Sequence, residues 1–433
     1  MNLPAAAVDP YVPGRGNAGY DVAGYDVELD YAVASNLLDG RARIRLVPTE
    51  SLLRFALDLV GLRASKVTVG GIAARWRQQG GKLHVVPSSP LAAGVEVAVE
   101  VRYGGNPGPT RSTWGLVGWE ELDDGVLVAS QPSGASTWLP CNDLAAQKAP
   151  VRLTITAASG YLVVGNGLLR DRRMHGSTTT WVYDQPEPTS PYLLTVHIGR
   201  YAQHEVASGP VAIRAVVSAA HLGVFADAFA RQAEMMTVFV DRFGPYPFAA
   251  GYTVVVCPSP LEMPLEAQGQ SIFGTNHLDG GHERLIAHEL AHQWFGNSLT
   301  AATWKHIWLH EGFACYAEWL WSEASGGRSA ADHARDHHDR LARLPQNLVL
   351  ADPGPVDMFD DRVYKRGAMT LHALRQELGD GAFFDLLRRW TTTHRHGVVT
   401  SEAFEAMAAE AAGASLDDLF RTWLRETALP NLS

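Results

Sequence analysis

HELAHQWFG, residues 288–296, is the stretch that decides how this chain is read. In the surrounding ERLIAHELAHQWFG, apolar Leu285, Ile286, Leu290, Trp294 and Phe295 recur at helical spacing, which puts His288 and His292 one turn apart on one face. Two imidazoles so spaced can grip one metal ion, and Glu289 then projects beside the ion, where it can take a proton from water. The pair needs a third ligand. WKHIWLHEGFACYAEWL, a second amphipathic segment, offers Glu311, 19 positions after His292. A carboxylate brought back by an antiparallel helix completes a two-His, one-Glu set with a fourth position open, the pattern of a catalytic zinc site.

HELAHQWFGN followed by WLHEGFACY resembles the gluzincin zinc aminopeptidases of the aminopeptidase N and leukotriene hydrolase family. The resemblance extends from DPYVPGRGNAGYDVAGYDVELDY near the start to the helices after Tyr364. It implies that His288, His292 and Glu311 bind one zinc ion per chain and that Glu289 is the general base. Glu318, on the same helix face as Glu311, matches a carboxylate that orients a zinc histidine. Tyr364, in VYKRGAMTLHALR, matches a phenol that donates to the oxyanion formed at the scissile carbonyl.

The family binds the substrate's free α-ammonium group with Gly-x-Met-Glu-Asn. Here the stretch is EMPLEAQGQSIFG: Glu266 aligns with the glutamate, while Met263, Leu265 and Ala267 replace the glycine, methionine and asparagine. Glu262 is the alternative acceptor, and QSIFG is expected to form the edge strand that pairs with substrate backbone. A second amine contact falls on Gln131 in VASQPSGASTWLPCND. The implied activity is removal of N-terminal residues from peptides. Two alternatives are endopeptidase processing of a specific peptide, such as a leader peptide, and an inactive peptide-binding protein. Because the chain ends at Ser433, the family's helical C-terminal domain is expected to be absent and the cleft open. His306, His310, His333, His337 and His338 are expected at helix surfaces.

Away from the motif, segments such as YDVELDYAV, GRARIRLVP, VEVAVEVRY and VRLTITA alternate apolar and polar residues or are rich in Val, Ile and Thr, and so predict strands. After PVAIRAVVS, HLGVFADAFARQAEMMTVFVDRFG predicts one long helix ending at Gly244, and from His282 nearly everything reads as helix. The fold class is α+β: a β-rich domain over residues 1–203, which the resemblance identifies with a β-saddle, then a mainly helical, thermolysin-like domain over 204–433.

The composition, 46% hydrophobic and 19% charged over 433 residues, is that of a chain that folds into more than one domain. A net charge of -10 and the lack of a Lys/Arg run exclude a nucleic-acid footprint. Cys141, Cys257 and Cys315 are too few and too scattered for a disulfide framework, which fits a cytoplasmic location. MNLPAAAVDPYVPGRG lacks the pattern of a signal peptide, and no run reaches the ~18 apolar residues of a membrane span.

Overall fold

The structure, a computed structural model, describes residues 8–432; residues 1–7, on which the signal-peptide reading partly falls, lie outside them. The chain divides into two compact units. One comprises Met1–Gln203, Phe248–Ala250 and Ala267–Gln270; the other comprises His204–Pro247, Gly251–Glu266 and Ser271–Ser433.

The first unit is built on an eight-stranded sheet with the order Leu168–His175, Thr178–Thr189, Ala149–Ala158, Tyr20–Ala32, Leu37–Pro48, Val97–Gly105, Arg63–Val69, Ile72–Ala73. Its neighbours are antiparallel except at one seam, where Tyr20–Ala32 runs parallel to Ala149–Ala158 with Tyr25 opposite Val151. The sequence alternation sets the burial: Val27, Leu29 and Tyr31 turn inward, while Asp26, Glu28 and Asp30 face water. A five-stranded sheet in the order Leu162–Gly165, Val196–Gly199, Gly125–Ala129, Gly115–Leu122, Thr110–Ser112 contributes to the same core, which holds fully buried Trp119, Trp138 and Trp181. Thr178–Thr189 is a strand that the sequence patterning did not mark, its DQPEPT end being poor in β-formers.

The second unit carries a five-stranded sheet in the order Ala202–Ser208, Ala212–Val217, Tyr252–Val256, Gln270–Phe273, Leu265–Ala267. The order corrects one expectation: QSIFG is an interior strand, and the edge is Leu265–Ala267, the strand that carries Glu266. A two-residue turn at Gln268 and Gly269 folds one onto the other.

Around this sheet run α1 (Leu222–Ala228), α2 (Gln232–Phe243), α3 (Glu283–Ala291), α4 (Trp308–Ala324), α5 (Ala330–Leu341), α6 (Asp361–Thr393, broken at Gly379) and α7 (Ser401–Ala412). The single helix expected over 221–244 is two, α1 and α2. No glycine or proline marks the break in DAFARQ; the ring of Phe229 there stacks on Phe225 at 4.5 Å and packs edge-on against Phe273 at 5.0 Å, so tertiary burial overrides local propensity. Among the described residues no helix is long and apolar enough to cross a membrane.

Candidate metal centre and active site

α3 buries one face, and His288, Glu289 and His292 all lie on it with 7%, 4% and 1% exposure. The Nε2 atoms of both histidines converge on one oxygen of Glu311 in the first turn of α4, at 3.3 Å for His288 and 3.5 Å for His292. Ligand atoms about 2.1 Å from a tetrahedral zinc ion stand about 3.4 Å from one another. The three donors are therefore already spaced to share one ion.

Each ring is held from behind. His288 Nδ1–H donates to Glu318 at 2.8 Å, and the far oxygen of Glu318 accepts from Arg284 at 3.3 Å. His292 Nδ1–H donates to the Phe295 carbonyl at 2.9 Å. A carbonyl only accepts, so the proton on His292 stands at Nδ1, and a neutral ring turns its Nε2 lone pair toward Glu311. The glycine that ends the motif makes this turn possible. Gly296 has φ 116°, and a Cβ there would press on His292 Nδ1 at 3.2 Å.

The charge balance also calls for a cation. Glu266, Glu289, Glu311 and Glu318 are all buried around two imidazoles. Burial alone would lower the proton affinity of the rings, but the surrounding carboxylates outweigh it, holding His288 at about 9 and His292 at about 10. Burial would raise Glu311, yet the two histidines pull it far below the usual carboxylate range. A field that holds protons this firmly suits a dication, and the donors are those zinc takes.

Glu289 sits beside this trio. One of its carboxylate oxygens is buried without a protein partner, and burial, reinforced by Glu311 and Glu318, raises its proton affinity. Glu266, Glu289 and His292 form a second group whose ligand atoms lie within 4.8 Å of one another. Glu266 is 8% exposed, whereas Glu262 is out in solvent, so of these two carboxylates Glu266 is the one that lies at the site.

Tyr364 enters from α6, its ring stacked on His288 at 5.9 Å between centroids and 20° between planes. Burial and the charges of Glu311, Glu266 and Glu289 raise its phenol well above the ordinary value, so it keeps its proton. α6 comes this close because Gly312, next to Glu311, faces Gly367, one turn after Tyr364: a Cβ built on Gly312 would lie 2.8 Å from the Gly367 Cα. The Gly in HEGF and the Gly in YKRG are thus one contact between two helices.

Seven of the eight residues expected at the site therefore lie together in this unit. Gln131 is half-buried in the first unit, in the turn after Gly125–Ala129. The histidines expected at helix surfaces are placed differently. His310 is fully buried and accepts from the Ala301 N–H at 2.7 Å, while His306, 3% exposed, pairs with Ser401 Oγ at 2.9 Å. α4 is enclosed along nearly its whole length, and so it buries polar side chains that find local partners. His333 and His337 are half-buried, stacked on Trp319 at 6.1 and 5.4 Å, and half-buried His338 reaches the Pro430 carbonyl at 2.9 Å. Sequence reading also missed Arg284, which supports Glu318 from an exposed position.

Residues 228–423 match the peptidase family M1 domain. Among curated relatives, the leucyl aminopeptidase of Saccharolobus solfataricus is 23% identical over 94% of this chain and 53% of its own length. Aminopeptidase M1-B of Oryza sativa subsp. japonica is 26% identical over 70% of this chain and 37% of its own length. The chain thus spans about half or less of these relatives. A solved structure of similar size, the M1 zinc metallopeptidase from Deinococcus radiodurans, matches at 30% identity with a TM-score of 0.89, covering 100% of this chain and 98% of that one. A mutant of it bound to a Tyr-Ser-Ala substrate matches at 31% identity with a TM-score of 0.89. With that identity over 98% or more of both chains, and with His288, His292 and Glu311 brought together, this chain belongs to peptidase family M1, a family of zinc metallopeptidases.

Proposed function

We propose that the chain is a zinc aminopeptidase acting on short peptides, with His288, His292 and Glu311 as ligands to one zinc ion. The observation that carries this reading is the convergence of Glu266, Glu289 and His292 beside the ligand trio, which sets an amine acceptor next to a general base. Zinc, when bound, supplies Lewis acidity to the scissile carbonyl and to the attacking water.

The other steps belong to the chain's own residues. Glu289, unpartnered at one oxygen, takes the water's proton and passes it to the leaving amine. Tyr364, with its proton retained, donates to the oxygen on which negative charge develops. Glu266 accepts from the substrate's α-ammonium group. Leu265–Ala267 is the edge strand of its sheet, the position at which extended substrate backbone would add as a further strand. The tripeptide bound by the Deinococcus radiodurans enzyme is the size of substrate this reading favours.

The test compares peptides of equal length with free and N-acetylated amines, with and without a chelator. Cleavage of the free-amine peptide alone, abolished by the chelator, supports the proposal. Equal rates on both peptides would show an endopeptidase instead, and binding without cleavage would show a peptide-binding protein.

A further inference from the structure

The last carbonyls of α3, those of His288, Glu289, Leu290 and Ala291, face the end of the helix and need donors from outside it. Three are met by backbone. His292 N–H donates to His288 at 3.2 Å, Gln293 N–H to Leu290 at 3.1 Å, and Trp294 and Phe295 N–H to Ala291 at 3.0 and 3.1 Å. The chain has tightened here, for Gln293 N–H is the group that a continued α-helix would bring to Glu289. The Glu289 carbonyl is met by side chains: Ser271 Oγ–H donates to it at 3.3 Å, and Gln293 Nε2–H at the longer 3.5 Å.

Ser271 is fully buried, and its hydroxyl is aimed from behind. The buried Tyr252 hydroxyl donates to Ser271 Oγ at 2.5 Å, which leaves the serine's own proton for Glu289. These two residues come from adjacent strands, Tyr252–Val256 and Gln270–Phe273, and Leu265–Ala267 lies on the other side of Gln270–Phe273. Counted outward from the two-residue turn at Gln268 and Gly269, Glu266 stands opposite Ser271, so both side chains leave the sheet on one face. That face thus carries both Glu266 and a hydroxyl bonded to the backbone of Glu289.

In a peptide the α-amine nitrogen is about 2.5 Å from the carbonyl carbon of its own residue. An acceptor for that amine and a base for the water attacking that carbon must therefore keep a fixed separation. Ligand atoms of Glu266 and Glu289 lie within 4.8 Å of one another. We propose that Ser271 is the positioning residue that keeps this separation: its hydroxyl ties the strand pair carrying Glu266 to the turn of α3 carrying Glu289, and so registers the base on the first peptide bond. Ser271 acts through the Glu289 backbone, and Tyr252 acts through Ser271. The inference rests on the aminopeptidase reading above and says what fixes the distance on which that reading depends.

The experiment measures cleavage of the tripeptide Tyr-Ser-Ala and of its N-acetylated form. It uses wild type, Ser271→Ala, Tyr252→Phe, Glu266→Ala, and each of the first two variants combined with Glu266→Ala, all checked for zinc content and for folding by circular dichroism. Ser271→Ala is expected to lower kcat/KM on the free-amine peptide about tenfold, less than the 10² that a 1 Å misplacement can cost, with zinc content as in wild type. Tyr252→Phe, which keeps the serine hydroxyl but lets it turn, is expected to lose a smaller factor. In the Glu266→Ala background Ser271→Ala is expected to change kcat/KM by no more than roughly twofold, because the amine no longer sets the register. A folded Ser271→Ala variant as fast as wild type overturns the inference. So does one that loses the same factor with and without Glu266, or one that loses zinc, since either marks a merely structural residue. If Ser271→Ala does not fold, Tyr252→Phe decides by the same comparisons. Equal cleavage of both peptides by wild type itself would overturn the aminopeptidase reading, and the inference with it, a result visible before any variant is made.

Discussion

Gly312 and Gly367 meet backbone to backbone: a Cβ on Gly367 would lie 2.7 Å from the Gly312 Cα, and the reverse distance is 2.8 Å. This contact sets the distance between α4, which carries Glu311, and α6, which carries Tyr364. Neither backbone can yield as a flexible side chain would, so Gly312→Ala or Gly367→Ala must push the helices apart, at a cost of about 1–3 kcal/mol. Both variants are expected to melt earlier than wild type. They should also lose kcat more than zinc content, because Tyr364 moves away while the His288, His292 and Glu311 donors stay on α3 and α4. Thermal denaturation, metal analysis and steady-state kinetics on the same preparations separate these effects.

Glu289→Gln and Tyr364→Phe are expected to slow turnover without emptying the metal site. Loss of the general base should lower kcat by about 10²–10⁴. Loss of the phenolic donor should cost about 10²–10³, since it removes an interaction made only in the transition state. Neither side chain is among the donors to the ion, so zinc content should equal that of wild type. A Glu289→Gln variant with undiminished turnover would remove Glu289 from the mechanism.

Much of this centre was legible in the sequence because its chemistry is local. The spacing from His288 to His292 and the glycine at 296 are features of one turn of chain, and Glu311 and Glu318 repeat the pattern on the next helix. What was not legible depends on packing between elements. Nothing in WKHIWLHEGFACYAEWL says that α4 and the turn before it are enclosed on nearly every side, so His306 and His310 read as surface residues and are buried. Strand order was hidden as well: LEA is too short to show periodicity, yet it is the sheet edge, and the more strand-like QSIF is interior.

Metal removal should destabilise the second unit. Without a cation, four buried carboxylates face two imidazoles, and only protons on His288 and His292 offset the charge. A ligand that binds the folded state alone stabilises it in proportion to the logarithm of its concentration over Kd, about 4 kcal/mol at a thousandfold excess. Chelated protein is therefore expected to melt several degrees lower, and added zinc should restore the wild-type midpoint. An unchanged midpoint in protein shown to be metal-free would contradict the charge argument.

His197 predicts an acid sensitivity that belongs to the first unit and is independent of the metal. The ring is fully buried; Thr195 Oγ1 donates to the Val128 carbonyl at 2.8 Å and so accepts from His197 Nε2–H at 3.0 Å, while Nδ1 has no hydrogen-bond partner. Burial pushes its pKa down to about 3, against about 6.5 in the unfolded chain. Between those values the unfolded chain binds a proton that the folded one refuses, so the stability present above about pH 6.5 is lost as pH falls toward 3. His197→Leu, similar in volume and unable to titrate, removes this term. The stability of wild type relative to the variant is expected to decline by on the order of 2 kcal/mol between pH 7 and about pH 5. Chemical denaturation of both proteins across that range measures the difference directly, and parallel curves would show that His197 is not the titrating group.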